Sequence, residues 1–263
     1  MLFRTLGYLG SSVISRVKAF KETVRVIIVS VSSLLFRMST GRKATARVLL
    51  KQVYFTGFEA APIISWIALI LGFIIVTQLL GILPKLGGER LIGDVLVWVL
   101  IREVGPLFSA VIVIARSGTA IASELGTMKI SRELTSLEAM GIDPMHYLIM
   151  PRVIGTAISV FFLTFYFEAV SILGGYLLAG FGRSISFSVY LVSIAESMGF
   201  TEVLVSLLKS AVFGLIIGAV GCVHGLAVEK SITRIPQETT RAVIRSLGLV
   251  FVSDAVITFA FFV

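Results

Sequence analysis

Five long runs of apolar residues, separated by shorter polar segments, dominate the pattern of this chain. About 20 consecutive apolar residues form a helix that crosses the hydrocarbon core of a bilayer. The pattern therefore predicts five membrane-spanning helices, and the third begins with an interfacial turn because Pro151 interrupts it. The predicted spans are Ala61–Leu83, Asp94–Ala115, Leu148–Gly180, Val203–Val228 and Ala242–Val263.

Two shorter helices are predicted outside the spans. Near the N-terminus, apolar residues recur at helical spacing and charged residues fill the other side, which is typical of a helix lying in the plane of the membrane surface. The alternative, a spanning helix over Val24–Phe36, is too short for a core about 30 Å thick. Ser184–Met198 is too polar to span and predicts a helix on the far surface. The N-terminal apolar positions are Val13, Val17, Phe20, Val24, Ile27, Ile28, Val31 and Leu35.

The composition agrees with an integral membrane protein. Of the 263 residues, 57% are hydrophobic and 14% are charged, whereas a soluble domain carries about 25% charged residues. A soluble nucleic-acid-binding protein is therefore excluded, although the net charge is +8. The simplest organisation is one membrane domain over residues 51–263, preceded by an interfacial region over residues 1–50.

The distribution of positive charge predicts the orientation of the chain. Eighteen of the 23 Lys and Arg residues lie before the first span, or in and at the edges of the connections between the second and third spans and between the fourth and fifth. Segments rich in Lys and Arg stay on the cytoplasmic side of the membrane. We therefore expect a cytoplasmic N-terminus and, after an odd number of spans, a C-terminus on the far side.

The segment from Arg116 to Pro144 is the longest polar interruption between two spans. Its first residues are small, and Gly141 is a suitable helix stop. Asp143 followed by Pro144 is a typical helix start. The segment therefore predicts a short helix, a tight break and a new helix that enters the membrane. The residues alone leave open whether this segment docks on a partner or is a solvated hairpin. One face of the short helix is expected to carry Ile130, Leu134, Leu137 and Gly141.

The charged residues within the predicted spans include Arg102, Glu103, Glu168 and Asp254, at a depth where ionised groups are costly and often functional. Arg102 and Glu103 are adjacent, so we expect each to find water, another helix or a ligand rather than the other. A lipid phosphodiester would suit the Arg102 guanidinium, and an ion pair between helices is the alternative. For Glu168 and Asp254 we favour packing against Ser, Thr or Arg of neighbouring helices over a functional role.

A stripe of glycines in the fourth span predicts close helix packing. The sequence leaves open whether this packing lies within one protomer or between two. The stripe consists of Gly214, Gly218, Gly221 and Gly225.

Several motifs together resemble the MlaE/YrbE family of permeases. The strings are A-R-S-G-T-A-I-A-S-E-L-G-T-M from Ala115, S-L-E-A-M-G-I-D-P from Ser136, P-R at Pro151, R-E-V-G-P from Arg102 and T-T-R-A-V from Thr239. The resemblance runs from about Gln52 to the C-terminus. As a set these motifs are specific.

The resemblance implies the membrane subunit of an ABC transporter that moves phospholipids between the inner and outer membranes of bacteria. Such permeases are homodimers in the inner membrane, with one ATPase docked under each copy. They associate with a periplasmic MCE-domain protein and often with a STAS-domain protein bound to the ATPase. The chain has no G-x-x-x-x-G-K-[ST] phosphate loop. We therefore expect no cofactor or metal on this chain, with ATP and Mg²⁺ bound by the partner.

The resemblance also implies two groups of site residues. A coupling helix at about residues 117–143 would sit in a groove of the ATPase, and a cavity between two protomers would hold the lipid. The coupling residues would be Glu124, Thr127, Met128, Lys129, Arg132, Glu133, Leu137, Glu138 and Asp143. The lipid-contacting residues would be Gln78, Leu79, Leu80, Leu83, Arg102 and Glu103.

Two other classes of protein remain as alternatives. A secondary transporter or channel without an ATPase would need broken helices or a polar relay through the spans, and the sequence shows neither clearly. An intramembrane enzyme would need a nucleophile with a base or a metal cluster. Cys222 is expected to be a small buried residue, and His146 and His224 lack the spacing of metal ligands.

Overall fold

The structure is a computed structural model that describes residues 18–34, 42–84, 88, 91–179, 186–229 and 231–262. All the regular elements in these ranges are helices, and five helical segments are long and apolar enough to cross a membrane. The predicted all-α membrane fold is therefore confirmed. Some predicted positions lie outside the described residues, namely Val13, Val17, Leu35, Gly180, Ser184 and Val263.

The helices follow one another with short connections. The first helix, α1, covers residues 18–34, and α2 covers Arg42–Thr56. A short turn at Phe58–Ala60 leads into α3. The remaining helices are α3 (Ala61–Ile82), α4 (Ile92–Ile130), α5 (Glu133–Ala139), α6 (Met145–Ala179), α7 (Phe187–Ser197), α8 (Phe200–Ala227) and α9 (Ile235–Phe262).

Three of the spanning helices form the centre of the bundle and two form its flanks. Helices α4, α6 and α8 are the most buried, whereas α3 and α9 are mostly exposed. Helix α3 packs on α6, and α9 packs on α8 and α4. Large apolar side chains such as Trp66 and Phe259 cover the outer faces of the flanking helices. An exposed apolar belt of this kind is what a lipid-facing surface requires.

Small residues allow the central helices to approach closely. Gly72 of α3 lies directly against the backbone of Ser171 on α6. The predicted glycine stripe on α8 packs within the protomer, which answers the question that the sequence left open. Its first half faces α6, where an added Cβ at Gly218 would lie 2.8 Å from Cα of Val153. Its second half faces α4, with a Cβ at Gly225 falling 2.8 Å from Cβ of Leu125.

The second spanning helix is longer than predicted. We expected it to end at Ala115, but α4 continues without a break to Ile130 and contains 39 residues. At 1.5 Å per residue its length is about 58 Å, nearly twice the hydrocarbon thickness. The first half of the polar segment is therefore an extension of the span rather than a separate helix.

The chain turns sharply after α4. Arg132 has a φ of 59°, in the left-handed region, so the helix cannot continue through it. Ile130 therefore lies on α4 and Leu134 on α5, and the expectation that they share one helical face is wrong. The later signals are confirmed. Gly141 has a φ of 77°, and an oxygen of the Asp143 carboxylate accepts a hydrogen bond from the Met145 amide at 2.9 Å.

Proline is accommodated in the third span without a break. The residues before Pro151 form a π-helical turn, Met145–Ile149, in which the Met150 amide bonds to the Met145 carbonyl. This wider turn precedes Pro151, which lacks an N–H group. The helix then runs continuously to Ala179. The expected interfacial turn is thus a wider helical turn within α6.

Replacing Gly72 by Ala is expected to lower the free energy of unfolding by about 1–3 kcal/mol, because the new methyl group overlaps the Ser171 carbonyl. Gly118→Ala is the matched control, since its nearest neighbour, Cγ2 of Ile217, lies at 3.5 Å. Thermal unfolding of both variants in detergent measures the difference. Equal unfolding temperatures would show that the α3–α6 contact is loose.

Candidate functional site

Helix α5 projects from the bundle between the ends of α4 and α6. All seven of its residues are exposed or half-buried. The apolar side chains of Met140 and Ile142, which follow it, are also exposed. A short helix with so few contacts of its own depends on its two connections, or on a partner, to hold its position.

The helices on either side of α5 are fixed to each other and to α8. The Arg152 guanidinium on α6 lies 3.0 Å from a carboxylate oxygen of Glu124 on α4, and Arg152 is almost completely buried. The Lys129 ammonium donates a hydrogen bond to the Leu226 carbonyl in the last turn of α8. That carbonyl is one of the groups that a helix leaves without an intrahelical partner. The two arms that carry α5 are therefore held by polar contacts between helices.

The predicted coupling residues fall into two structural groups. Those on or beside α5 have accessible side chains, and Leu137 is half-buried. Glu124 and Lys129 instead make the contacts between helices described above, and Met128 packs against a buried apolar cluster. The hydroxyl of Thr127, on the exposed side of α4, bonds to its own helix at Ser123. The accessible group consists of Arg132, Glu133, Glu138 and Asp143.

A second polar site lies inside the bundle and begins with Pro106. Because proline has no N–H group, it cannot bond to the carbonyl of the residue four positions earlier, which is Arg102. The preceding segment, Val97–Val104, is π-helical. The ammonium group of Lys209 on α8 donates a hydrogen bond to the Arg102 carbonyl at 3.0 Å. A lysine from another helix thus bonds to the backbone of α4 in the turn before Pro106.

The Lys209 ammonium is completely buried, donates two hydrogen bonds and makes a further ion pair. Besides the Arg102 carbonyl, it lies 2.7 Å from a carboxylate oxygen of Glu103 and 2.8 Å from one of Asp254 on α9. The second oxygen of Glu103 accepts a hydrogen bond from the hydroxyl of Thr258 at 3.2 Å. We call Arg102, Glu103, Lys209 and Asp254 the charge cluster. It joins α4, α8 and α9 and balances two positive against two negative groups.

Arg102 and Glu103 pair with each other, which contradicts the expectation from their adjacent positions. The Arg102 Nε lies 3.4 Å from Glu103 Oε1. Lys209 and Thr258 hold the Glu103 carboxylate where the long arginine side chain reaches it. The interpretation as an ion pair between helices is thus supported for Glu103 through its contact with Lys209.

The other two acidic residues in spans also pack against neighbouring helices. The Ser206 hydroxyl on α8 donates to Glu168 on α6 at 2.7 Å, as the packing interpretation expected. Asp254 packs against Lys209 instead of Ser, Thr or Arg. The sequence analysis gave Lys209 no role, although a single lysine in the apolar run of α8 was an available signal.

The predicted lipid-contacting residues of α3 differ in accessibility. Gln78 is exposed, and Leu79 and Leu83 are half-buried. Leu80 is buried in an apolar cluster with Leu100 of α4. Arg102 is mostly buried. The structure therefore leaves Gln78 as the accessible polar member of this group.

The five spans, the charge cluster between them and the exposed helix between two of them define a multi-pass membrane protein. The chain belongs to the MlaE permease family, whose match covers residues 49–260. Membership implies an ATPase partner and a dimeric assembly, because relatives in this family are named ABC transporter permeases.

Relatives from several lineages align over most of the chain. A probable ABC transporter permease of Rickettsia typhi is 30% identical over 211 residues, covering 80% of this chain and 82% of the relative. A probable ABC transporter permease of Synechocystis is 32% identical over 216 residues, covering 82% of each protein. The chloroplastic protein TRIGALACTOSYLDIACYLGLYCEROL 1 of Arabidopsis thaliana is 32% identical over 216 residues, covering 82% of this chain and 62% of that protein.

Lys209→Met is expected to reduce the free energy of unfolding by about 3–5 kcal/mol, because it leaves the Asp254 carboxylate without its cation and removes one of the two cations beside Glu103. Thermal unfolding in detergent measures the loss. The double variant K209M/D254N also removes the Asp254 charge and leaves the Arg102–Glu103 pair with no net charge. It should therefore recover most of the lost free energy of unfolding. A single variant as stable as the wild type would show that the charge cluster contributes little to the fold.

Proposed function

We propose that this chain is the membrane subunit of an ABC transporter that moves phospholipids between the inner and outer membranes, working as a homodimer. The observation that carries the proposal is α5, an exposed polar helix between two spans whose arms are fixed to the bundle. A partner that pushes on α5 moves α4 and α6 directly. The family membership reported above supports an ATPase as this partner.

The mechanism follows from these connections. ATP-driven closure of the two partner ATPases brings the two copies of α5 together. Because α4 continues from its bilayer-crossing part to the turn before α5, this displacement reaches the charge cluster without passing through a flexible joint. The cavity between the protomers narrows, and the lipid leaves it.

The lipid is proposed to lie against the C-terminal end of α3 and the edge of the charge cluster. Gln78 offers an exposed amide for a headgroup, and Leu79 and Leu83 offer apolar surface for the chains. Arg102 and Glu103 place charge beside this surface. A lipid substrate is supported by the name of the Arabidopsis relative, which is that of a galactosylated diacylglycerol, a lipid with two chains.

Helix α9 is the proposed contact between the two protomers. It is the least buried of the five spans, and a Cβ added at Gly248 would meet nothing within 4 Å. Small residues on an open helix face favour association within membranes. This arrangement would place the Asp254 side of the charge cluster close to the dimer axis.

The remaining parts of the proposal concern location and partners. The chain lies in the inner membrane with its N-terminus and α5 in the cytoplasm, as the positive charge predicts. The ATPase binds ATP and Mg²⁺ and docks on α5. An MCE-domain protein binds on the periplasmic side, and a STAS-domain protein binds the ATPase.

Glu133→Lys and Leu137→Asp are each expected to reduce lipid movement by about tenfold, because one lost docking contact is worth about 1.4 kcal/mol. The assay reconstitutes the chain with its ATPase in vesicles and follows ATP hydrolysis and transfer of labelled phospholipid. Glu196→Lys on α7 is the matched control, since Glu196 is also exposed but far along the chain from α5. Full transport and unchanged co-purification of the ATPase in both α5 variants would refute the coupling role.

A photoreactive residue at position 78 is expected to crosslink phospholipid in an ATP-sensitive manner, because the cavity empties when the ATPases close. The same residue in place of Trp66, which faces outwards on α3, should crosslink bulk lipid equally with and without ATP. Mass spectrometry of the crosslinked chain gives the yields. Equal, ATP-insensitive yields at both positions would place Gln78 on the bilayer surface instead of in a cavity.

A further inference from the structure

Helix α1 presents three distinct stripes along its length. One stripe, Thr23, Val26, Ser30 and Ser33, is buried against the rest of the chain. A second stripe, Phe20, Val24 and Ile28, is apolar and exposed. A third stripe, Lys18, Lys21, Glu22 and Arg25, is charged and exposed. At 3.6 residues per turn the three stripes lie roughly a third of a turn apart.

The buried stripe fixes how α1 is oriented. Val26 belongs to a buried cluster with Leu125 of α4, Ile149 of α6 and Cys222 of α8. Three different helices thus contribute to the site on which α1 docks. Small hydroxyl residues on either side of Val26 let the helix lie close to this surface. Rotation of α1 about its axis would bury charge or expose this cluster, so the directions of the other two stripes are set.

The apolar stripe identifies the kind of surface that α1 meets. Phe20 and Ile28 are 49% and 61% exposed although both are large and apolar. Both lie on α1, which packs near the ends of α4, α6 and α8. Hydrocarbon at the boundary of the bilayer is the environment that covers such a stripe.

The charged stripe adds selectivity to this contact. Lys18, Lys21 and Arg25 are spaced by three and four residues and therefore point in similar directions. Glu22 lies 3.9 Å from Arg25 and offsets one positive charge, so the stripe keeps a net charge of about +2. Because this stripe borders the apolar one, a bilayer that covers the apolar stripe would bring its lipid phosphates near these cations.

We propose that α1 is a binding surface for anionic lipids of the leaflet in which it lies. The apolar stripe inserts among the acyl chains, and the cationic stripe pairs with negatively charged headgroups. Packing of α1 on α4, α6 and α8 fixes the orientation of both stripes, so lipid binding requires no rotation of the helix. The surface does not depend on the proposed transport function.

The experiment places a fluorescent reporter within the apolar stripe. The full chain with Phe20→Trp, and with its two native tryptophans changed by Trp66→Phe and Trp98→Phe, is reconstituted in phosphatidylcholine vesicles. Brominated phosphatidylglycerol or brominated phosphatidylcholine is then added in equal, low amounts. Bromine on the acyl chains quenches the reporter only when that lipid is in contact with it.

We expect brominated phosphatidylglycerol to quench at least about twofold more strongly than brominated phosphatidylcholine, and high salt to remove the difference. The triple variant K18Q/K21Q/R25Q should quench equally with both lipids. Glu22→Gln is the matched control on the same helix, and it should raise the preference for phosphatidylglycerol. Equal quenching in the parent protein would overturn the anionic preference. Absence of quenching by either lipid would show that protein, such as a second copy of the chain, covers the stripe.

Discussion

The contact between Lys209 and the Arg102 carbonyl is the constraint on which the centre of the structure depends. It joins α8 to the backbone of α4 in the turn before Pro106, a residue without a backbone donor, inside a membrane-spanning helix. A buried lysine without carboxylates would be costly there. Glu103 and Asp254 balance its charge, so this one lysine ties together charged residues on three helices.

The same reasoning explains why the exposed helix α5 keeps a defined position. Its own residues make few contacts, and the polar contacts of its two arms hold it instead. Arg152 is buried while its partner Glu124 remains largely exposed, so the pair combines a desolvated cation with a carboxylate that water still reaches. Buried single charges are unfavourable, and this geometry lets one member stay hydrated.

The sequence predicted those features that depend on apolar length and on local chemistry. Five apolar runs gave five spans, and Gly141 with Asp143 marked the end of α5 and the start of α6. The end of α4 was missed because the predicted span was ended where the apolar run ends, whereas the helix continues through polar residues as far as the turn at the left-handed Arg132. Lys209 was missed because its partners lie on other helices. Glu103 lies more than 100 residues before it in the sequence, and Asp254 lies on α9.

The charge cluster also limits how the molecule moves. Separating α9 or α4 from α8 would take carboxylates away from a lysine that has no access to water, and such a step is strongly unfavourable at low dielectric constant. Helices α4, α8 and α9 therefore move as one body. The contact between α3 and α6 is different, since Gly72 meets the Ser171 backbone through close packing. Apart from the Ser65–Tyr166 hydrogen bond, the described contacts between α3 and α6 are apolar or backbone contacts, so a displacement of α3 would not separate an ion pair.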